Sequence, residues 1–68
     1  MINAEMLKGC IERSNKSIVE VADAIEIDRA TFYRKLSRKD SSFTVEQAKR
    51  ISDLLHLDAT EFEAIFLA

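Results

Sequence analysis

The sequence has no proline or tryptophan, one glycine and one cysteine among its 68 residues. Without proline and with little glycine, the usual helix breakers are missing, so other residues must make the turns. A single cysteine cannot form an internal disulfide, and no cluster of His, Cys and carboxylates has metal-ligand spacing. Cys10 lies in an apolar register with Leu7 and Ile11. We interpret it as a core residue rather than a reactive thiol.

Long hydrophobic runs are also missing. No stretch approaches the roughly 20 residues that cross a bilayer, and the N-terminus lacks the pattern of a signal peptide. A hydrophobic share of 47% suffices for a core, and a charged share of 32% suits a water-exposed surface. We expect one domain over residues 1–68, located in the cytoplasm and without membrane contact.

Catalytic and ligand-binding signatures are absent from the sequence as well. There is no glycine-rich phosphate loop, and His56 and Cys10 fall on separate predicted helices, which argues against a catalytic pair. A lone histidine without other ligands at suitable spacing does not indicate a metal site. We therefore expect no enzymatic activity, no cofactor, no metal and no small-molecule ligand.

Helix start signals are frequent. Five polar residues suited to cap a helix N-terminus each precede an apolar segment of helical period. They are Asn3, Ser17, Asp28, Thr44 and Asp58. Three of them are followed three positions later by Glu or Gln, which is the spacing of a capping box. The pattern predicts an all-α fold of five helices, near residues 4–14, 18–25, 29–37, 45–56 and 59–66.

Positive charge is concentrated in one part of a chain whose net charge is −2. Residues 29–39 hold five of the ten basic residues and no acidic residue. The five are Arg29, Arg34, Lys35, Arg38 and Lys39. An acidic protein that gathers cations on one helix and the next loop is suited to a polyanion. The alternative interpretation is a solvated basic helix end that favours the helix dipole.

Residues 17–39 resemble the helix-turn-helix of the lambda-repressor-like family, which includes phage Cro proteins and XRE-type bacterial regulators. The resemblance rests on the spacing of six residues: Val21, Ala22, Ile25, Ile27, Thr31 and Phe32. A small residue such as Ala22 lets two helices cross closely. The five-helix layout extends the resemblance over nearly the whole chain. The segment TFYRKLSRKDSSFTVEQ and the ending FEAIFLA are similar to very short phage and mobile-element regulators.

The resemblance implies a transcriptional regulator, such as a phage repressor, that places the helix at 29–37 in the major groove of double-stranded DNA. It implies that this helix buries Phe32 and Leu36. The implied base contacts are Arg29, Ala30, Tyr33 and Arg34. The implied phosphate contacts are Lys16, Ser17, Lys35, Arg38, Lys39, Ser41 and Ser42. The acidic residues elsewhere leave open an alternative, a protein-interaction module on the same fold, such as an antirepressor or assembly adaptor.

Three positions that are commonly glycine in the family carry other residues here: Asn15, Glu26 and His56. Asn and His tolerate the left-handed backbone conformation better than most residues. A glutamate there costs about 1 kcal/mol. We therefore expect glycine in place of Glu26 to stabilise the fold.

The C-terminal FEAIFLA suggests more apolar surface than one core needs. In a helix from Ala59, Phe62, Ile65 and Phe66 can face the core, which leaves Leu67 without an obvious internal partner. Domains below about 70–80 residues gain little stability from one core. Related regulators bind paired half-sites as dimers. We expect a weak, symmetric homodimer with Phe66 and Leu67 in the contact; the alternative is a monomer whose last residues cover the first helix.

Overall fold

The structure, a computed structural model, describes residues 2–37 and 43–67, and every regular element in those ranges is an α-helix. The helices are α1 (Ala4–Arg13), α2 (Ile18–Ala24), α3 (Arg29–Ser37), α4 (Val45–Leu55) and α5 (Ala59–Phe66). The predicted five-helix, all-α layout is confirmed. The predicted helices α1, α2 and α4 are each one residue too long at the C-terminal end, because Ser14, Ile25 and His56 are C-cap residues.

Each helix begins after the N-cap that the sequence predicts. The side chains of Ser17, Thr44 and Asp58 each accept a hydrogen bond from the amide three positions on, and the residue there bonds back to the cap amide. Asn3 Oδ1 accepts from an amide at 3.1 Å, and Asp28 Oδ1 does so at 2.9 Å. Each such cap stabilises a helix by about 1 kcal/mol. Local hydrogen bonds therefore define all five helix starts.

The core receives one completely buried side chain from every helix. In chain order these are Leu7, Val21, Phe32, Ile51 and Ile65. Cys10 is buried among them, as predicted. Ala22 is also buried, where α2 packs on α3. The small side chain permits this close approach and so places α3 with one face inward.

Four phenylalanine rings in contact connect the buried face of α3 to the partly buried phenylalanines of α5. The ring centroids of Phe32 and Phe43 lie 5.1 Å apart, and those of Phe43 and Phe66 lie 6.2 Å apart. Phe66 and Phe62 complete the series at 5.1 Å. These separations fall in the range of about 4.5–7 Å at which tilted and edge-to-face rings attract. Phe43 is therefore the link between the α3 side and the α5 side of the core.

The turn between α2 and α3 is closed by Glu26 in a left-handed conformation, with φ 62°. Asn15 and His56 adopt the same conformation, so all three positions behave as the sequence predicts. The amide of Ile27 bonds the carbonyl of Ala22 at 3.0 Å, which is the hydrogen bond expected after a left-handed helix end. The α2–α3 turn thus has the shape that glycine usually supplies.

A contact from α4 holds the Glu26 side chain. The Nη1 atom of Arg50 donates to the Glu26 carboxylate at 3.0 Å, and its Nη2 atom donates to Glu46 at 3.0 Å. All three side chains are largely exposed. Exposed ion pairs contribute only about 0.2–1 kcal/mol each. The pair with Arg50 therefore offsets part of the backbone strain at Glu26.

Glu26→Gly is expected to raise the free energy of unfolding only slightly in the wild-type background, by about 0.5 kcal/mol or less. In an Arg50→Ala background the same change should be more favourable, by up to about 1 kcal/mol, because no ion pair is lost. Urea denaturation of the four proteins measures this cycle. A glycine effect that is equally unfavourable in both backgrounds would contradict the assignment of strain to Glu26.

Candidate nucleic-acid interface

Helix α3 divides into the two faces that the sequence predicts. Phe32 and Leu36 are buried on one face. The four predicted base-contact residues, Arg29, Ala30, Tyr33 and Arg34, are all exposed on the other. Tyr33 is 48% exposed although it is a large aromatic residue. The outer face of α3 therefore presents two guanidinium groups, a methyl group and a phenol to an incoming molecule.

The arginines of the described residues fall into two classes. Arg13 forms an ion pair with Glu61 at 2.6 Å, and Arg50 is paired with two glutamates. Arg29 and Arg34, on α3, enter no ion pair within residues 2–37 and 43–67. The Nη2 atom of Arg34 instead donates to the Thr31 hydroxyl at 3.2 Å. Of the four described arginines, the two outside α3 are thus paired with carboxylates, whereas the two on α3 are not.

Two carboxylates near described arginines, Glu61 and Asp28, have lowered pKa values. The hydrogen bond and charge of Arg13 hold the pKa of Glu61 below its usual value. At the start of α3, the amide of Thr31 lowers the pKa of Asp28, and the nearby Arg34 charge adds a smaller effect. Asp28 is therefore an ionised cap whose charge stabilises the helix N-terminus. It is the acidic group nearest in sequence to the basic face of α3.

A cleft of about 250 Å³ lies beside α3, between α1 and the start of α2. It is bordered by Lys8, Lys16, Ser17 and Tyr33, with Glu12 as the acidic residue at its edge. The structure thus brings the predicted phosphate contacts Lys16 and Ser17 next to the predicted base contact Tyr33. Lys8 was not predicted, because it precedes the helix-turn-helix segment and has no motif around it.

The start of α2 is already occupied by its own capping box. Ser17 Oγ accepts from the Glu20 amide at 3.1 Å, and the Ser17 amide donates to the Glu20 carboxylate at 2.9 Å. A carboxylate is therefore placed at this helix start, and the hydroxyl proton is the only hydrogen-bond donor that Ser17 can still offer to an anion. An anion in this cleft would depend on the ammonium groups of Lys8 and Lys16.

The predicted contacts after Tyr33 are only partly described. The Nζ atom of Lys35 lies 5.9 Å from the centroid of the Phe43 ring, within reach of a cation–π interaction. Its aliphatic stem is half-buried at the edge of α3. The other four predicted phosphate contacts lie outside the described residues: Arg38, Lys39, Ser41 and Ser42. Their assignment stays a prediction from the sequence.

Comparisons with protein-family models, with curated proteins and with solved structures found no match for this chain. Within residues 2–37 and 43–67, no helix has the length and apolar character needed to cross a membrane. In the same ranges, no three or more His, Cys, Asp or Glu side chains are grouped so as to hold a metal ion.

Proposed function

We propose that this protein is a sequence-specific double-stranded DNA-binding regulator of the lambda-repressor-like type, with α3 as its recognition helix. The observation that carries the proposal is the contrast between the arginines. Arg13 and Arg50 are paired with carboxylates, whereas Arg29 and Arg34 share the exposed face of α3 without ion pairs in the described residues. A net-negative chain that leaves these two arginines without ion pairs in the described residues is suited to phosphates and base edges.

The chemistry of the α3 face fits the major groove. An arginine fork can donate two hydrogen bonds to guanine O6 and N7, and the methyl of Ala30 can contact a thymine methyl. The groove is about 12 Å wide and admits one α-helix. Because Phe32 and Leu36 anchor the opposite face in the core, the backbone that carries Arg29 and Arg34 would be held in place before binding. Rigid presentation lowers the entropy lost on binding.

Phosphate contacts would flank the base-reading face. Lys8 and Lys16 lie at the cleft on the α1 side of Tyr33. Lys35 lies near the C-terminal end of α3, and the sequence continues into the basic residues after it. Such contacts set the register of a protein on DNA without reading its sequence. Occupation of an operator would then block or recruit RNA polymerase in the cytoplasm.

Selection of bound sequences from random duplex DNA, at stated salt, tests the proposal. We expect a short enriched motif that contains guanine, read by the arginines of α3. The logarithm of affinity should fall with the logarithm of salt by about 0.9 per phosphate contact. Binding that shows neither an enriched motif nor this salt dependence would contradict the proposal. It would favour the alternative, a protein-interaction module such as an antirepressor or assembly adaptor.

A further inference from the structure

The two exposed arginines of α3 differ in what their guanidinium groups contact. The Nη2 atom of Arg34 donates a hydrogen bond to the Thr31 hydroxyl at 3.2 Å. The Arg29 guanidinium makes no hydrogen bond or ion pair within residues 2–37 and 43–67. Both residues are exposed on the same helix, so burial does not distinguish them, whereas the bond to Thr31 does.

Thr31 is itself held by the residue that caps the helix. Asp28 Oδ1 accepts a hydrogen bond from the Thr31 amide at 2.9 Å. The Thr31 amide, and to a smaller extent the Thr31 hydroxyl, lowers the pKa of the Asp28 carboxyl. The hydroxyl therefore directs its single proton toward Asp28, and its oxygen lone pairs remain for Arg34. Asp28, Thr31 and Arg34 thus form a hydrogen-bonded chain along the first turns of α3.

The Thr31 side chain is suited to fix a direction. It is partly buried, and a β-branched threonine in a helix has only two favoured rotamers. The bond with Asp28 favours the observed one. The bond from Arg34 to Thr31 uses one N–H group and leaves the other donors of the planar guanidinium free. Two of these donors are enough for a two-bond contact to guanine O6 and N7.

We propose that Thr31 is a positioning residue that holds the Arg34 guanidinium in its base-reading orientation before DNA binds. The inference rests on the proposed function and adds to it a residue that acts through Arg34 rather than by contact with DNA. A long side chain that is already held in one geometry loses less conformational entropy when it binds. The base preference of Arg34 should therefore depend on Thr31, and that of Arg29 should not.

Nuclear magnetic relaxation of the arginine Nε–H groups tests the positioning in the free protein. We expect a higher order parameter for Arg34 than for Arg29. Thr31→Val removes the hydroxyl and keeps nearly the same shape, so it should lower the Arg34 value to that of Arg29. Thr31→Ser keeps the hydroxyl and should preserve most of the Arg34 order. Both variants retain the amide that bonds to Asp28, and circular dichroism checks that helix content is unchanged.

Fluorescence anisotropy with the selected duplex and its single-base variants tests the effect on base reading. Thr31→Val should reduce the preference for the Arg34 base pair by about two- to tenfold. It should leave the Arg29 base pair and the affinity for random duplexes unchanged, and Thr31→Ser should restore most of the preference. In an Arg34→Ala background, Thr31→Val should have no further effect, because the contact that it breaks is already absent.

Equal order parameters for Arg29 and Arg34 would overturn the proposal, as would an Arg34 value that Thr31→Val leaves unchanged. The same holds for a Thr31→Val effect on DNA binding that persists without the Arg34 side chain. The relaxation measurement uses no DNA, so it stands apart from the proposed function. An ordered Arg34 in a protein that selects no motif would refute DNA binding but not the hold of Thr31 on Arg34. A selected motif whose Arg34 preference survives Thr31→Val would refute the positioning role alone.

Discussion

Phe43→Ala is expected to unfold most of the protein at room temperature. Phe43 is 9% exposed, and its ring contacts the rings of both Phe32 and Phe66. Removal of a buried phenylalanine ring costs about 3–5 kcal/mol. A single core in a domain of this size supplies about as much stability in total. Circular dichroism should show a large loss of helix signal, and thermal melting should lose its cooperative transition.

Two variants separate loss of packing from loss of fold at this position. Phe43→Leu keeps most of the side-chain volume, so it should cost less than about 1.5 kcal/mol and preserve a cooperative transition. Phe62→Ala removes a ring that is only partly buried, so it should also cost less stability than Phe43→Ala. Wild-type stability for Phe43→Ala would show that Phe43 does not join the two sides of the core.

Local sequence was enough to predict the five helices. Each start depends on a cap and the residue three positions later, and both lie within one helical turn. The exposed and buried faces of α3 follow equally locally, since Phe32 and Leu36 are four residues apart. Only the helix ends were misjudged, by one residue, because a C-cap residue such as Ser14 still fits the helical apolar pattern.

Contacts between distant segments could not be predicted. Arg50 reaches Glu26 across 24 positions, and Arg13 reaches Glu61 across 48. No local pattern marks these pairs, so the sequence did not reveal which arginines are neutralised. The same reason explains why the sequence did not identify Lys8 and Val45 as residues that border a cleft. Each borders a cleft that exists only after three segments of the chain have packed together.

The series of phenylalanine rings connects the buried side of α3 with the cleft beside α5. Phe32 lies behind the proposed base-reading face of α3, and Phe62 and Phe66 line a cleft of about 430 Å³, with Phe43 between them. Close-packed interiors transmit displacements because they contain little free space. A displacement of Phe66 would therefore be transmitted through Phe43 to the buried side of α3.

Arg34→Ala should remove about 1–3 kcal/mol of preference for one base pair of the selected motif. The reason is that a two-bond contact to guanine would be lost. Arg34 forms no ion pair within the described residues, so its loss should not destabilise the fold. The thermal transition should be nearly unchanged. Arg29→Ala is expected to act in the same way at a different base pair. Fluorescence anisotropy with the selected duplex and single-base variants measures the loss.

The control is Lys16→Ala, which also removes one positive charge, but from a partly buried residue at the cleft beside α2. It should weaken binding to selected and random duplexes alike, and it should reduce the salt slope by about one unit. Lys49→Ala, on α4 and outside the residues of the proposed DNA interface, should leave DNA affinity nearly unchanged. Equal losses on selected and random DNA for Arg29→Ala, Arg34→Ala and Lys16→Ala would show that α3 contributes charge and does not read bases.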